Sequence, residues 1–441
     1  MNSSASASAW KAHVYRVGSN FGSYDQPPPP ELVAKLRPQI EPWLAAVFQA
    51  EHLSLLLGSG FTVAVANAAK VKAPGMSKVK FGCQLEDKVN AHAEETAKAC
   101  GRGDANIEDQ LRAALELHQG LRIAGDRAAV KWQAAINNAL REFLTSVLTT
   151  ENGLRGALTG DSPEGTDARN LLTSFLLSFA SRVPSRERLH VFTTNYERLI
   201  EYGCDVVGLR VIDRFVGLLQ PIFRASRIDV DVHYNPPGIR GEPRYLEGVL
   251  KFTKLHGSVD WRFERGVLSR ASIAFGSSKD HPEMPIEPFQ TVMVYPNPAK
   301  DLETSEYPYA ELFRDFSASL CRPNSVLVSY GYGFGDDHIN RVMKDMLTIP
   351  STHLVIISYS DAGGRISRFA STVGRAAQIS LLIGDHFGDL ASLVAHYLPK
   401  PAIDLISYRR TEILKNRGQI PSPEDAPSVT GGSEPLPTGG S

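Results

Sequence analysis

Cysteine is scarce in this chain and scattered. Cys83, Cys100, Cys204 and Cys321 are the four among 441 residues, and no two form a Cys-x-x-Cys pair. That spacing excludes a structural zinc ribbon of the usual kind, and a disulfide framework is unexpected at this length. Net charge is lacking too: 47 lysines and arginines against 48 aspartates and glutamates leave −1. No global field therefore draws nucleic acid, and Arg182, Arg186 and Arg188 are the one candidate for a local basic patch. No apolar run approaches the roughly 20 residues of a membrane helix, so no membrane association is expected. The start, from Met1 to Trp10, has neither a basic segment nor an apolar core and does not read as a secretory signal. A cytoplasmic location is the expectation. Also missing are a Gly-Lys-Ser/Thr phosphate loop, a Gly-x-Ser-x-Gly nucleophile elbow and any metal-ligand set.

The hydrophobic fraction, 42%, is ordinary for a soluble globular chain. Residues 1–30 read as an N-terminal arm, Ser/Ala-rich at its start and closed by Pro27 to Pro30. Residues 31–400 read as one α/β domain. Glu31 to Gln49 carries a helical apolar stripe that Pro38 and Pro42 are expected to interrupt. His52 to Leu57 predicts a strand that runs into Gly58-Ser59-Gly60 and a helix. Residues 84–183 are dominated by helical patterns and form a large insertion. Within it, Asn106 with Asp109 three residues on predicts a capped helix start. The insertion is expected to cover the sheet and to offer subunit contacts. Strands are expected at 209–212, 221–223, 230–234, 248–255 and 291–295. From Leu189 a short apolar strand run stops at Thr193-Thr194-Asn195, and Tyr196 to Glu201 predicts the first turns of the next helix. After residue 307 three strand–loop–helix units follow in succession, which argues a parallel sheet. The fold class is α/β, a doubly wound parallel sheet of Rossmann type. Residues 401–441 form a C-terminal segment, and its Pro, Gly and Ser content predicts disorder from about residue 419.

Five strand ends meet small or polar residues: Gly58-Ser59-Gly60, Thr194-Asn195, His256-Gly257, Gly331 to Asp336, and Ser360-Asp361. Ligands of doubly wound sheets lie at that edge. Glycines admit phosphates, and hydroxyl and acidic groups suit ribose. One amide and one imidazole remain for chemistry. Asn195 can both donate and accept, and His256 can act as a base near neutral pH. Each residue also has a plainer reading. Asn195 and Asp336 can cap the helices that follow. His256 can bond a carbonyl, Gly58 and Gly60 can serve a tight turn, and the Gly-Tyr-Gly-Phe-Gly run can be a flexible loop.

The order of these motifs resembles the sirtuin fold. Gly58-Ser59-Gly60 matches its degenerate first loop. Phe192-Thr193-Thr194-Asn195-Tyr196-Glu197 is similar to the sirtuin Thr-Gln-Asn-Ile-Asp motif in its bacterial Thr-Thr-Asn-Tyr-Asp form, with Glu197 in place of the aspartate. Lys254-Leu255-His256-Gly257-Ser258 is similar to the segment that bears the catalytic histidine. Gly331 to Asn340 resembles a signature of sirtuin-like proteins in bacterial anti-phage defence. The stretch from Tyr295-Pro296-Asn297-Pro298 through Glu311-Leu312-Phe313 to His338 resembles the sirtuin-like subunits encoded beside a HerA-type hexameric ATPase.

The resemblance implies a sirtuin-like fold and NAD as substrate, with the nicotinamide–ribose bond hydrolysed and NAD depleted during infection. It implies a homo-oligomer, a HerA-type ATPase as partner, and contact with DNA only through that complex. Asn195 and His256 are the implied catalytic pair. Gly58, Ser59 and Gly60 would cradle the diphosphate, and Gly331, Gly333 and Asp336 would line the adenosine half. Thr194, Glu197, Gly257 and Ser360 complete the implied cofactor contacts, and no metal is implied. Sirtuin deacylases bind acyl-lysine against a four-cysteine zinc ribbon that this chain cannot build, so deacylation is not implied. Two other readings stay open: a non-catalytic sensor of NAD or ADP-ribose, and a scaffold subunit of an ATPase or nuclease assembly.

Overall fold

A nine-stranded sheet organises the chain. The computed structural model describes residues 10–73, 78–99, 103–182, 185–226, 231–234, 244–285, 288 and 307–400. The hairpin β1 (His13–Val17) and β2 (Asn20–Tyr24) precedes α1 (Pro30–Phe48), β3 (His52–Leu57) and α2 (Ser59–Ala68). Four helices follow: α3 (Glu86–Ala99), α4 (Ile107–Ile123), α5 (Ala128–Thr159) and α6 (Pro163–Ala180). Then come β4 (His190–Thr193), α7 (Leu199–Val207), β5 (Arg210–Ile212), β6 (Phe215–Val216) and β7 (Ile222–Phe223). The short pair β8 (His233–Tyr234) and β9 (Arg244–Tyr245) leads to β10 (Val249–Lys254) and the hairpin β11 (Trp261–Glu264) and β12 (Val267–Arg270). The last third alternates α8 (Tyr309–Leu320), β13 (Ser325–Tyr330), α9 (Asp337–Met346), β14 (His353–Ser358), α10 (Arg365–Val373) and β15 (Ile379–Ile383). The strand expected at 291–295, the segment Tyr295 to Pro298 and the C-terminal segment from residue 401 lie outside the described residues.

The sheet order is β2-β1-β15-β14-β13-β3-β4-β10-β5. Every pair from β15 to β5 is parallel. The central strands are apolar on both faces, as in Leu55 to Leu57 and Leu354 to Ile357, because helices cover both sides. The chain steps outward from β3 to β4 and β10, then returns to the other side of β3 with β13 and steps outward again. The strand order therefore reverses at β3, and the carboxyl ends of β3, β4, β10 and β13 open on one crevice. The sequence expectation of a doubly wound α/β fold holds.

One sheet face packs on α1, α2, α6, α7 and residues 393–398. The other packs on α8, α9 and α10. The expected helical insertion is present and divides in two. Helices α3 and α4 and the first half of α5 bury their own cluster around Trp132, Ile136 and Leu111. Helix α6 and the end of α5, through Leu154, Leu158 and Phe175, belong to the sheet core. Between them Leu144 and Leu148 of α5 pack on Tyr196 and Val259, beside two of the strand ends named above.

Three local expectations change. First, the stretch set apart as an arm contains β1 and β2, and β1 pairs antiparallel with β15. Val14 faces one core and Tyr15 and Val17 the other, so the hairpin covers what would be an open sheet edge. Second, Pro38 and Pro42 lie inside an unbroken α1. Each costs about 3 kcal/mol, but five buried side chains, Val33 to Phe48, contribute about 1.5–3 kcal/mol each. Third, α7 begins at Leu199 rather than at Tyr196. The capping box of Asn106 and Asp109 forms as expected.

His353, at the start of β14, is held by Ser380 Oγ at 2.9 Å and packs edge-on against Trp43. Burial, helped by the charge of Arg16, lowers its pKa from 6.5 to about 4. The folded state thus resists a proton that the unfolded chain accepts. The stability it contributes is complete above pH 6.5 and is lost as pH falls toward about 4. The full loss is about 3 kcal/mol. Denaturant midpoints measured across that window are expected to fall less steeply for His353→Gln than for the wild type. Parallel slopes would remove His353 from the account.

Candidate functional site

The crevice holds a cavity of about 340 Å³. Its floor begins at β3, where Gly58 leads straight into α2. A Cβ on Gly58 would stand 2.5 Å from the Gly331 carbonyl oxygen, and one on Gly60 2.7 Å from Gly331 Cα. The two glycine loops are therefore small because they pack on each other. Gly331 adds a φ of +64°, which a side chain would resist.

Strand β4 delivers Thr193, Thr194 and Asn195. The Thr193 hydroxyl donates to the Leu57 carbonyl at 2.9 Å and accepts the Asn195 N–H at 3.1 Å. The Asn195 amide then donates twice, to the Gly58 carbonyl and to the Thr62 hydroxyl, each at 3.1 Å. Thr62 in turn donates to the Glu197 carboxylate. Both amide hydrogens are spent inside the fold, and Asn195 caps no helix. Its Oδ1 has no partner among the described residues, so Asn195 offers the cavity an acceptor. From β10, the buried Lys254 ammonium donates to the Glu197 carbonyl at 2.6 Å and to Glu201 Oε1 at 3.1 Å. That pins the turn after Asn195 from the neighbouring strand.

His256 follows β10 and lines the same cavity. Its Nε2 lies 2.9 Å from Asp336 Oδ2, with both side chains buried. The partner is a carboxylate, not a carbonyl. Asp336 also caps α9, accepting the His338 N–H on Oδ1 at 3.0 Å. The loop that carries it is not loose. Tyr332 and Phe334 are buried and pack ring to ring at 5.0 Å. The Tyr332 hydroxyl sits 3.1 Å from the Asp336 carbonyl and 3.2 Å from Asn340 Oδ1. Burial first, and the nearby Asp336 charge second, push that hydroxyl's pKa well above 10, so it stays protonated. In the Gly-Tyr-Gly-Phe-Gly run the buried aromatics anchor the loop, and Gly331 and Phe334 take the left-handed turns.

A guanidinium and a helical wall complete the cavity. Arg365, at the start of α10, donates from Nε to the Gly333 carbonyl at 2.6 Å and lines the cavity. Opposite stand Asp104, Asn106, Glu108 and Asp109 from the start of α4, with Phe143 and Thr150 of α5. Among the lining residues described are five acidic residues (Asp104, Glu108, Asp109, Glu197 and Asp336) and one arginine, with the Asp109 carboxylate buried beside Arg112. The helical insertion is thus a wall of the site as well as cover for the sheet. Glu151 of α5, fully buried, binds the Arg198 guanidinium at 3.1 and 2.6 Å and the Arg198 backbone N–H at 2.8 Å. That locks α5 to the residue three places after Asn195. Burial works against the Arg198 charge, but Glu151 together with Asp260 and Glu201 outweighs it and the pKa rises. Among the described residues no group of three His, Cys, Asp or Glu stands close enough to hold a metal ion.

Of the residues singled out in the sequence, Gly58, Ser59, Thr194, Asn195, Glu197, His256, Gly333 and Asp336 line this cavity. Gly60, Gly257, Gly331 and Ser360 do not. Gly60 and Gly331 touch each other behind it. Gly257 turns the chain with a φ of +86°. The Ser360 hydroxyl is used within its own loop, accepting the Ala362 N–H. Thr62, Tyr332 and Arg365 also line the cavity, with no individual role expected from the sequence. Thr62 lies three residues after Ser59 in a helix, a spacing that puts both on one face, and Arg365 opens the helix after a strand end. The helical wall had no local signal.

A crevice at the reversal point of a doubly wound sheet defines a ligand-binding α/β protein. Residues 189–374 match a family model described as SIR2-like domain, and such domains use NAD. The match runs from the start of β4 to the end of α10. It contains Asn195, His256, Asp336 and Arg365, whereas β3, α2 and the helical wall lie outside it. No curated protein matches the chain. Among the described residues no helix is long and apolar enough to cross a membrane.

Proposed function

We propose that the cavity binds NAD and hydrolyses its nicotinamide–ribose bond, giving nicotinamide and ADP-ribose. The observation that carries this reading is the convergence of Asn195 Oδ1 and the His256 ring on one cavity at the strand ends of a SIR2-like domain. The volume lies within the range of about 300–1,000 Å³ for small-molecule sites. The carboxylate-rich lining suits a pyridinium cation and the positive charge that develops on the ribose as the bond stretches. Arg365 is the guanidinium at hand for the diphosphate, in the cavity that Gly58 and Ser59 also line.

In the reaction the bond between C1′ and the pyridinium nitrogen breaks, and its electron pair leaves on neutral nicotinamide, so no acid is needed. Water adds at C1′, and its proton passes to His256. With the Nε2 hydrogen directed to Asp336, Nδ1 is the basic nitrogen. Asn195 Oδ1 accepts a hydrogen from the ribose or from that water and fixes the line of attack. Thr62 and Glu197 act at one remove by orienting Asn195. Gly60 and Gly331 have no ligand contact in this reading and serve only to let the two loops approach.

We extend the proposal, on the resemblance of Gly331 to Asn340, to depletion of NAD in anti-phage defence. The chain would act there in the cytoplasm as a homo-oligomer with a HerA-type ATPase, meeting DNA only through that complex. The test is nicotinamide release from NAD by the purified chain, with and without the co-encoded ATPase. Asn195→Ala is expected to lower release by about 10²-fold or more while the chain still binds NAD. If calorimetry shows NAD binding but no condition gives release, the protein is a sensor and the catalytic assignment is wrong.

A further inference from the structure

A second cavity, of about 190 Å³, opens at the opposite edge of the sheet. It lies where β3, β4 and β10 begin and where α8 ends, and it shares no residue with the first. Its lining is polar, and its charges do not cancel. Glu187 is taken by Arg322 and by His52. Asp315 is taken by Arg214, whose Nε donates at 2.7 Å. Arg188 spends its guanidinium on Asp231 and on the carbonyls of Val232, Leu246 and Val249. His190 is held between Ser319 Oγ at 3.0 Å and Thr253 Oγ1 at 2.9 Å. Burial, then the charges of Lys251, Arg322 and Arg214, lower its pKa well below 6.5, so it is neutral.

Three donors are left over. The Lys251 ammonium is in no ion pair and no hydrogen bond among the described residues. The Ser54 hydroxyl, on a residue only 3% exposed, has no partner there either. Arg322 uses Nε and one terminal nitrogen, which leaves the other. Lys251 and Arg322 are only part-buried, and the three donors reach the cavity rather than being sealed in the core. Water can accept these hydrogens but cannot balance the charge, and the cavity exceeds the roughly 30 Å³ of one water. Lysine, arginine and serine donors converging on a concave wall match the oxygens of a phosphate group.

We propose that this cavity binds a phosphate group, as inorganic phosphate or as the end of a small phosphomonoester. Lys251 would supply the charge, and Ser54 and Arg322 would donate to separate oxygens. The site is independent of the NAD reaction and stands if that reading fails. Isothermal calorimetry and melting of the full chain with inorganic phosphate, against chloride at matched ionic strength, test it. Saturable binding is expected, weakened about tenfold or more in Lys251→Met, less in Ser54→Ala, and largely kept in Lys251→Arg. Unligated Lys251→Met is expected to melt no lower than the wild type, since it loses no ion pair, and to release nicotinamide as before. Ribose 5-phosphate in place of phosphate tells the two sources apart: binding of both admits a monoester, binding of phosphate alone an enclosed ion. No saturable binding, or binding that Lys251→Met leaves intact and Arg365→Ala removes, overturns the proposal.

Discussion

His256→Ala is expected to lower nicotinamide release by about 10²–10⁴-fold, the usual contribution of a positioned base, with the KM for NAD changed far less. The reason is where its two ring nitrogens stand. Nε2 is taken by Asp336, and the ring lines the cavity, so removal deletes a proton acceptor and leaves the other lining residues in place. The sharper test is Asp336. Its carboxylate has two roles, holding His256 and capping α9, and substitution can separate them. Asparagine caps a helix as well as aspartate does but carries no charge to fix the ring and stabilise the imidazolium. Asp336→Asn should therefore keep the stability of the wild type and lose kcat, by an amount approaching that of His256→Ala. Asp336→Ala should lose both, with about 1 kcal/mol of stability going with the cap. If Asp336→Asn turns over like the wild type, the pair is structural and His256 needs no orienting partner.

The second large effect lies away from the chemistry. Glu151→Ala leaves the Arg198 guanidinium buried without its carboxylate, and breaking such a pair costs about 3–5 kcal/mol. Release should fall as well, because the lost carboxylate also held the Arg198 N–H at 2.8 Å and with it the turn that begins at Asn195. Glu151→Gln keeps an acceptor and the volume, and should recover part of both losses. Denaturant midpoints of the three proteins, read beside their turnover, make the comparison. A midpoint change equivalent to under about 1 kcal/mol for Glu151→Ala, within the range of an ordinary substitution, would show that α5 and the turn after Asn195 are not coupled through this pair. A normal turnover at lowered stability would confine the pair to folding.

Much of the fold was legible in the sequence because parallel strands buried on both faces are written as unbroken apolar runs. Leu55 to Leu57, Val326 to Val328 and Leu354 to Ile357 are such runs. The hairpin at 13–24 was masked by its flanks: a Ser/Ala start and four prolines outweigh five residues of strand pattern. In α1 the two prolines carried a true local penalty that the core overrode. A local rule weighs a residue against its neighbours in sequence, whereas burial weighs it against neighbours in space.

The site divides in the same way. Chain-local chemistry determined that Asn195, His256 and Asp336 stand at strand ends, since an apolar run that stops at a small polar residue and turns into a helix has few other layouts. The sequence also determined which side chains could do proton chemistry there. Only the tertiary structure decided their duties. It took both amide hydrogens of Asn195 into the fold and left an acceptor, and it set Asp336 against His256, 80 residues away in the chain. It also turned the start of α4 and the middle of α5 into a wall that no local pattern announces. A hydrogen bond between distant residues depends on strand order and register, and these follow from packing summed over the whole sheet, which no short stretch of sequence contains.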